Sequence, residues 1–242
     1  MIRLPFLDPE RPDVFPPVER ALREPDGLLA AGGDLAPERL LAAYRRGIFP
    51  WYSQGQPILW WSPDPRTVFA TGDMHVPNRL ARWLRTCEWT LLADTAFARV
   101  MRACAAPREK QSGTWIDEDM LAAYEHLHAL GHAHCVEAWD GDALVGGIYG
   151  VAIGRMFFGE SMFSAADNGS KVALLALAHA LRGWGFPLLD AQVASPHLFT
   201  LGAYEIERAE FCARVEELTA APRTGGSWRE IFPAIRPRDL AP

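Results

Sequence analysis

The feature that most restricts the fold is an apolar run, VALLALAHAL, at residues 172–181. It lies inside the stretch 168–185, which begins at Asn-Gly-Ser and ends at Gly-Trp-Gly, so a long helix that is apolar on most sides is predicted there. The run is far shorter than the about 20 residues that cross a bilayer. Such a helix has to be buried inside the protein, and the strand-like PLLDAQV at 187–193 follows it directly.

Glycine and proline divide the rest of the chain into short helices and strands. Helices are predicted within 32–51, 77–85, 95–106, 117–131 and 209–218, with Asp34 capping the first and Gly47 ending it. Strand-like runs fill 132–163, with hairpin turns at Asp140-Gly141 and at Gly154, and the tail after Pro222 is predicted to be irregular. The pattern predicts helices flanking a mainly antiparallel sheet, which is a mixed α/β (α+β) fold.

A proline-rich stretch predicts the domain organisation. The short strand PILWW, at 57–61, is followed by SPDPR at 62–66. A boundary there separates a small N-terminal domain, residues 1–65, from a larger domain, residues 66–242.

Composition limits the class of protein. The start, MIRLPFLDPERPD, has no apolar core of a secretion signal, so a soluble cytoplasmic protein is expected. The four cysteines, Cys87, Cys104, Cys135 and Cys212, form no C-x-x-C pair and are expected to be reduced core thiols. The net charge of −6 argues against broad non-specific binding of nucleic acid.

A local basic patch is compatible with that charge. Arg79, Arg82 and Arg85 are spaced three apart in NRLARWLR. They form either a phosphate-binding patch or an ordinary solvated helix face.

Four histidines stand in nine positions of YEHLHALGHAHC. His126 and His128 are two apart on a helix and do not face each other, whereas His132 and His134 are expected on one face of the following strand. His128 and His132 have the spacing H-x-x-x-H, but Gly131 is expected to end the helix between them, so the helical metal-binding arrangement is not expected. We predict a structural role for the histidines and no metal site, and a metalloprotein built on them is the alternative that elemental analysis tests.

Aromatic residues crowd a turn-rich segment at 49–66. They are Trp51, Tyr52, Trp60 and Trp61. The segment is either a core anchor or a platform on which an unpaired base stacks, and Trp115, after the flexible Gly113, is a candidate for a second stacking plate.

Two further stretches place polar groups among apolar ones. Glu160, in FFGESMF, is either paired with a backbone donor or available to a cationic ligand. Asp190 and Gln192 are two apart in the strand LLDAQV, so they are expected to point the same way. They are either a satisfied polar pair or a site at which Asp190 orients the Gln192 amide toward a nucleophilic amine.

Sequence motifs carry a resemblance to one family. GLLAAGGDLAPERLLAAYRRGIFPWY, ILWWSPDPR, GTWI, GESMFS and DAQ, in this order from about residue 15 to about residue 215, resemble the bacterial leucyl/phenylalanyl-tRNA–protein transferases. The resemblance implies transfer of leucine or phenylalanine, less often methionine, from charged tRNA to proteins that begin with arginine or lysine, which marks those proteins for N-end-rule degradation. It also implies an acetyltransferase-like (GNAT-like) second domain, no metal and no small cofactor. A monomer with no membrane association is expected.

Matching the family's motifs to this chain assigns the site residues. The two tryptophans that hold the terminal adenosine of the tRNA correspond to Trp51 and Trp115, and the residues of the reaction centre to Glu160, Asp190 and Gln192. The aminoacyl side-chain pocket corresponds to Ile148, Phe157, Met162, Leu174 and Leu177. Some relatives have Met in place of Ile148 and Phe in place of Leu177, so the preference between leucine and phenylalanine stays open. The resemblance favours phosphate binding by Arg79, Arg82 and Arg85.

Two alternatives of other kinds remain. An N-acyltransferase that uses acetyl-CoA needs a glycine-rich pyrophosphate loop, and the helix start NGSKVALL offers a single glycine. A module that only binds RNA ends or peptides would retain its function when Asp190 and Gln192 are replaced by alanine.

Overall fold

Two β-sheets organise the chain, whose computed structural model describes residues 4–106, 116–222 and 226–242. The smaller sheet has the order β1-β2-β4-β3. Its strands are β1 (Phe6–Leu7), β2 (Leu28–Gly32), β3 (Phe49–Pro50) and β4 (Leu59–Trp61), and helix α1 (Pro37–Tyr44) lies between β2 and β3 in the chain.

The larger sheet has seven strands in the order β11-β5-β10-β9-β8-β7-β6. They are β5 (Arg66–Ala70), β6 (Thr90–Ala93), β7 (Ala133–Asp140), β8 (Ala143–Ile153), β9 (Met156–Ser164), β10 (Leu188–Gln192) and β11 (Tyr204–Ile206). Strands β9 and β10 are parallel and the other neighbours are antiparallel, which confirms the predicted fold class. The parallel pair is joined by a helix, as parallel strands require.

Helices cover both faces of the larger sheet. They are α2 (Asn78–Leu84), α3 (Phe97–Ala105), α4 (Glu118–Ala129), α5 (Gly169–Gly183), α6 (Pro196–Phe199), α7 (Arg208–Ala220) and α8 (Trp228–Ile231). Apolar residues of α1, α3, α4 and α7 share one buried cluster with both sheets. Residues of α2, α5 and α8 form a second cluster on the opposite face of the larger sheet.

Helix α5 is the predicted apolar helix. It is covered on one side by the sheet and on the other by the C-terminal segment. At the end of the helix, the ring of Trp184 packs on that of Trp228 in this segment, with the ring centroids 4.8 Å apart. Two covered sides explain why its sequence is apolar almost all round. At its start the chain passes very close to β8, because a Cβ on Gly146 would lie 2.3–2.4 Å from the main chain of Gly169. Among the described residues, no helix combines the length and the hydropathy that a membrane span needs.

Some predictions about elements were wrong. The tail after Pro222 is not irregular throughout, since it contains α8 and a 3-10 turn at Pro237–Leu240. Asp34 does not cap α1, because its Oδ1 accepts from the amide of Ala36, which is itself the residue before the helix. Of the four cysteines, Cys104 and Cys135 are buried and the other two are half-buried.

The predicted domain boundary falls where one sheet gives way to the other. The smaller sheet ends at Trp61 and the larger one begins at Arg66. The division into domains 1–65 and 66–242 stays a prediction, since one apolar cluster contains residues from both sheets.

Candidate active site

Glu160 lies half-buried in a bulge of β9, at the centre of a polar cluster. Its Oε1 accepts from the hydroxyl of Tyr44 at 2.7 Å, and its Oε2 accepts from the hydroxyl of Tyr124 at 3.0 Å. The two hydroxyls also contact each other. The side-chain amide of Gln192 donates to Oε1 at 2.8 Å. The carboxylate therefore receives three hydrogen bonds from three different elements.

Burial raises the pKa of Glu160 from 4.5 to about 7, because an ionised carboxylate loses its hydration there. The hydrogen bonds from Tyr44 and Tyr124 and the charge of Arg66 oppose this shift, while the charge of Asp190 adds to it. A carboxyl group with a pKa near 7 exchanges protons readily at neutral pH.

Asp190, in the middle of the sheet, is fully buried and paired with an arginine. Its Oδ1 accepts from Nε of Arg66 at 2.8 Å, and its Oδ2 accepts from Nη2 of the same residue at 2.6 Å. Its Oδ1 also accepts from the backbone amide of Gln192 at 2.9 Å. The charge of Asp190 is thus balanced within the protein, and Asp190 contacts the main chain of Gln192.

Gln192 ends β10 in an unusual backbone conformation. Its φ is +63°, and the register of β10 against β5 shifts between Asp190 and Gln192. This bulge interrupts the alternation expected of a strand. The side chains of Asp190 and Gln192 nevertheless remain on the side of the sheet that carries Glu160, to which Gln192 donates. The structure therefore brings together the three residues that the sequence singled out.

The aromatic segment divides between core and surface. Trp60 is fully buried and Tyr52 nearly so, which fits a core anchor. Trp51 is 43% exposed and packs at 5.6 Å from Trp61, whose Nε1 donates to the Trp51 carbonyl oxygen at 2.6 Å. Trp51 is accessible to a ligand, and Trp115 lies outside the described residues.

The five residues expected to form the aminoacyl pocket belong to one apolar cluster, across the sheet from the face of Tyr44 and Tyr124. They are Ile148, Phe157, Met162, Leu174 and Leu177. Met162 is half-buried and lines an open cavity of about 840 Å³, whose other walls include Arg99, Arg102 and Ser170. The other four are buried.

Three arginines lie on helix α2 or at its C-terminal end. Arg79, Arg82 and Arg85 are exposed, and Arg85 donates to the carbonyl oxygen of Pro242 at 2.9 Å. Apolar residues of α2 pack in the same cluster as the five pocket residues.

Two of the four histidines lie together with an aspartate. Nδ1 of His134 is 2.7 Å from Oδ2 of Asp94, and Nδ1 of His128 is 2.8 Å from the carbonyl oxygen of Ala133. His128, His134 and Asp94 each offer one possible metal-ligating atom within 4.8 Å of the others, a grouping that sequence spacing did not predict. The His134 ring stacks on Trp228 at 4.1 Å, which fits the structural role predicted for these histidines.

Three residues of the polar cluster were missed by the sequence reasoning. Arg66 begins a buried strand, and a buried arginine needs an acidic partner, so its sequence RTVFA carried a usable signal. Tyr44 and Tyr124 look like ordinary apolar positions of helices, and nothing local distinguishes them.

Comparisons with family models and with similar sequences point to one family. A family model described as leucyl/phenylalanyl-tRNA protein transferase matches residues 68–216, and the model of that family's N-terminal domain matches residues 33–64. A leucyl/phenylalanyl-tRNA–protein transferase of Xanthomonas campestris pv. campestris (strain 8004) is 62% identical over 233 residues, which cover 95% of this chain and 93% of the relative.

Similar proteins occur outside that genus. A protein of the same name from Alkalilimnicola ehrlichii is 55% identical over 231 residues, covering 95% of this chain and 90% of the relative. The chain belongs to the leucyl/phenylalanyl-tRNA–protein transferase family.

Proposed function

We propose that this protein transfers leucine or phenylalanine, less often methionine, from aminoacyl-tRNA to the α-amine of proteins that begin with arginine or lysine. The new peptide bond marks the acceptor for N-end-rule degradation. The polar cluster of Glu160, Asp190 and Gln192 carries this proposal, because it joins a proton-exchanging carboxyl group to an oriented amide. Family membership supports the same reaction.

The reaction requires little beyond positioning and proton transfer. The aminoacyl ester is already activated, so neither ATP nor a covalent enzyme intermediate is needed. The acceptor amine attacks the ester carbonyl carbon, a C–N bond forms, and the C–O bond to the ribose breaks. One proton leaves the amine and one proton reaches the departing ribose oxygen.

Each residue of the cluster has a role in that sequence. Glu160 accepts a hydrogen bond from the acceptor's neutral α-amine and takes the proton that the amine loses as it attacks, for which a pKa of about 7 is suitable. Gln192 donates its amide hydrogen to Glu160 and offers its carbonyl oxygen to a hydrogen of the amine. Asp190 orients Gln192 through the backbone amide.

Binding of the tRNA end is assigned to other residues. Trp51 and Trp115 stack on the terminal adenosine, and the exposure of Trp51 supports this role. Arg79, Arg82 and Arg85 contact acceptor-stem phosphates. The apolar cluster of Ile148, Phe157, Met162, Leu174 and Leu177 holds the amino acid side chain.

That pocket is expected to be lenient. One methylene changes binding in an apolar pocket by only about 1–3 kcal/mol, so leucine, phenylalanine and methionine are all accepted to some degree. We propose further that the protein is a cytoplasmic monomer, that its second domain is acetyltransferase-like, and that the reaction needs no cofactor.

The first test is the transfer of radiolabelled leucine from charged tRNA to a peptide that begins with arginine. A peptide of otherwise identical sequence that begins with alanine is the control. Label on the arginine peptide alone, without ATP, coenzyme A or added metal, is the expected result. Label on neither peptide while tRNA still binds would instead favour an RNA-binding module.

Variants complete this test. Asp190→Ala and Gln192→Ala are expected to lower the rate of transfer by about 10²-fold or more while tRNA affinity stays nearly unchanged, since Gln192 contacts the reacting amine and Asp190 positions Gln192. Unchanged rates would contradict the assigned roles.

A further inference from the structure

Arg66 occupies a place that no solvent reaches, at the junction of the two sheets. Its guanidinium group donates twice to Asp190, and its Nη1 donates to the carbonyl oxygen of Gly47 at 3.1 Å. The rings of Phe49 and Phe211 lie on it, with centroids 4.8 Å and 4.5 Å away. A buried arginine held by two acceptors and two rings has essentially one orientation.

Arg66 in turn fixes the carboxylate of Asp190. A two-point pair sets the plane of the carboxylate as well as its distance, which a single hydrogen bond does not do. That plane directs Oδ1 at the backbone amide of Gln192, 2.9 Å away.

The conformation of Gln192 needs such a contact. A residue other than glycine at φ +63° is strained and persists when its surroundings hold it there. The bond from the Gln192 amide to Asp190 holds the main chain, and the bond from its side chain to Glu160 holds the other end. The orientation of the Gln192 amide thus depends on contacts that begin at Arg66.

We propose that Arg66 is a positioning residue of the transfer reaction, acting through Asp190 on the backbone of Gln192. This inference rests on the proposed function. It assigns Asp190 the role of a link held by Arg66, because the arginine balances its charge and leaves no net charge to attract the amine.

The test compares Arg66→Lys with the wild type in the leucine transfer assay. Lysine keeps the positive charge but cannot form the two-point pair. A misplacement on the order of 1 Å at a reacting group costs about 10²-fold in rate, so kcat is expected to fall about that much. KM for leucyl-tRNA is expected to stay within about twofold, because the change acts on the chemical step alone.

A double-mutant cycle shows whether Arg66 acts through Asp190. If it does, Arg66→Lys combined with Asp190→Asn lowers kcat no further than Asp190→Asn alone. A double variant whose kcat is reduced by the product of the two single reductions would overturn the proposal that Arg66 acts through Asp190.

Arg39 is a matched control for the loss of a buried arginine. It is equally buried, and it donates to the carbonyl oxygens of Asp8 and Arg11 and to Oδ2 of Asp34, in contacts that do not involve Glu160, Asp190 or Gln192. Arg39→Lys is expected to lower the melting temperature while kcat stays at the wild-type value. A fall in kcat equal to that of Arg66→Lys would overturn the inference, since it would make the effect one of general stability.

A milder change covers the case in which Arg66→Lys does not fold. Phe211→Leu removes one of the two rings over the guanidinium group and leaves the ion pair intact. A several-fold lower kcat with unchanged KM for leucyl-tRNA is expected, and a wild-type kcat would overturn the inference.

The proposed function and this inference fail in different ways. A wild-type protein that transfers no leucine to the arginine peptide overturns both. An active wild type together with a folded, fully active Arg66→Lys overturns the inference alone.

Discussion

Glu160 is the residue through which pH is expected to act on this protein. Burial raises its pKa to about 7, although two tyrosine hydroxyls and Arg66 favour its ionised form. The charge of the carboxyl group therefore changes within the range in which the transfer reaction is measured.

Replacing Glu160 by glutamine should remove one ionisation from the pH profile of kcat/KM. In the wild type this parameter is expected to rise through pH about 7, as Glu160 ionises, and again near ~7.7–8.0, as the free amine of the peptide loses its proton. In Glu160→Gln only the second rise remains, at a lower rate. Transfer assays between pH 5.5 and pH 8.5 measure both, and a variant that keeps both rises contradicts the role given to Glu160.

The same residue predicts how stability depends on pH. Because the folded-state pKa is raised above 4.5, the folded protein binds this proton more tightly than the unfolded chain does. The contribution of Glu160 to stability is therefore greatest below pH about 4.5 and is lost as pH rises through about 7. Urea unfolding of wild type and Glu160→Gln should show the variant gaining relative stability over that interval, and a constant difference would argue against the raised pKa.

Some residues of the site can be identified from the sequence, and their partners cannot. Glu160, Asp190 and Gln192 stand out because polar groups between apolar neighbours need a partner or a ligand. Their partners Tyr44 and Arg66 lie 116 and 124 positions away, and only the assembled fold brings them into contact. The bulge between Asp190 and Gln192, and the hydrogen bond from the Gln192 backbone amide to the Asp190 side chain, also cannot be predicted from a strand pattern of period two.

At the scale of elements, helix α2 is expected to set the salt dependence of tRNA binding. Replacing both Arg79 and Arg82 by glutamine should make the slope of log affinity against log salt concentration less steep by about 2, since each arginine–phosphate contact contributes about 1. The control is Arg214→Gln on α7, whose cation is already paired with Glu210. Binding of charged tRNA at several salt concentrations measures the slope, and equal slopes for all three proteins would exclude α2 from the interface.

The contact between β8 and α5 is expected to tolerate no side chain. A Cβ on Gly146 would meet the main chain of Gly169 at 2.3–2.4 Å, so Gly146→Ala has to displace the helix or the strand. Overpacking of this kind lowers the free energy of unfolding by about 1–3 kcal/mol.

Gly183 provides the opposite case on the same helix. A Cβ there meets nothing within 4 Å, and alanine at a helical position is favoured over glycine by about 0.5–1 kcal/mol. Gly183→Ala should therefore keep or slightly raise the melting temperature. A melting temperature for Gly146→Ala as high as that of Gly183→Ala would show that the contact is not tight in solution.

Elements with local signals were predicted well, and those that depend on distant pairing were not. Asp117 caps helix α4, since its side chain accepts from the amide of Met120, and the hairpins turn at Gly141 and Gly154 as expected. Strand β5 was missed, because its partners β10 and β11 follow more than 110 residues later. The C-terminal helix α8 was missed because it is only four residues long.

At the scale of the whole molecule, the two sheets are expected to unfold together. Leu29 of the smaller sheet and Phe158 of the larger one belong to the same buried cluster, so neither unit retains its core alone. Calorimetry should show one transition, with the calorimetric and van't Hoff enthalpies equal.

A substitution in one unit makes this expectation sharper. Leu29→Ala is expected to lower the free energy of unfolding by about 2–5 kcal/mol and to move the single transition to lower temperature without splitting it. Two separate peaks, with the upper one unmoved by the substitution, would show that the units fold independently.

The end of α1 reaches across the boundary between the sheets, since Tyr44 contacts Glu160 and the Gly47 carbonyl contacts Arg66. The segment 66–242 is consequently not a module that can be transplanted on its own. A chimera that joins residues 1–65 of one family member to residues 66–242 of another places its seam within the reaction centre. Such grafts should inherit activity only when the two parents match at Tyr44, Gly47 and Phe49, however well the rest of the graft is accommodated.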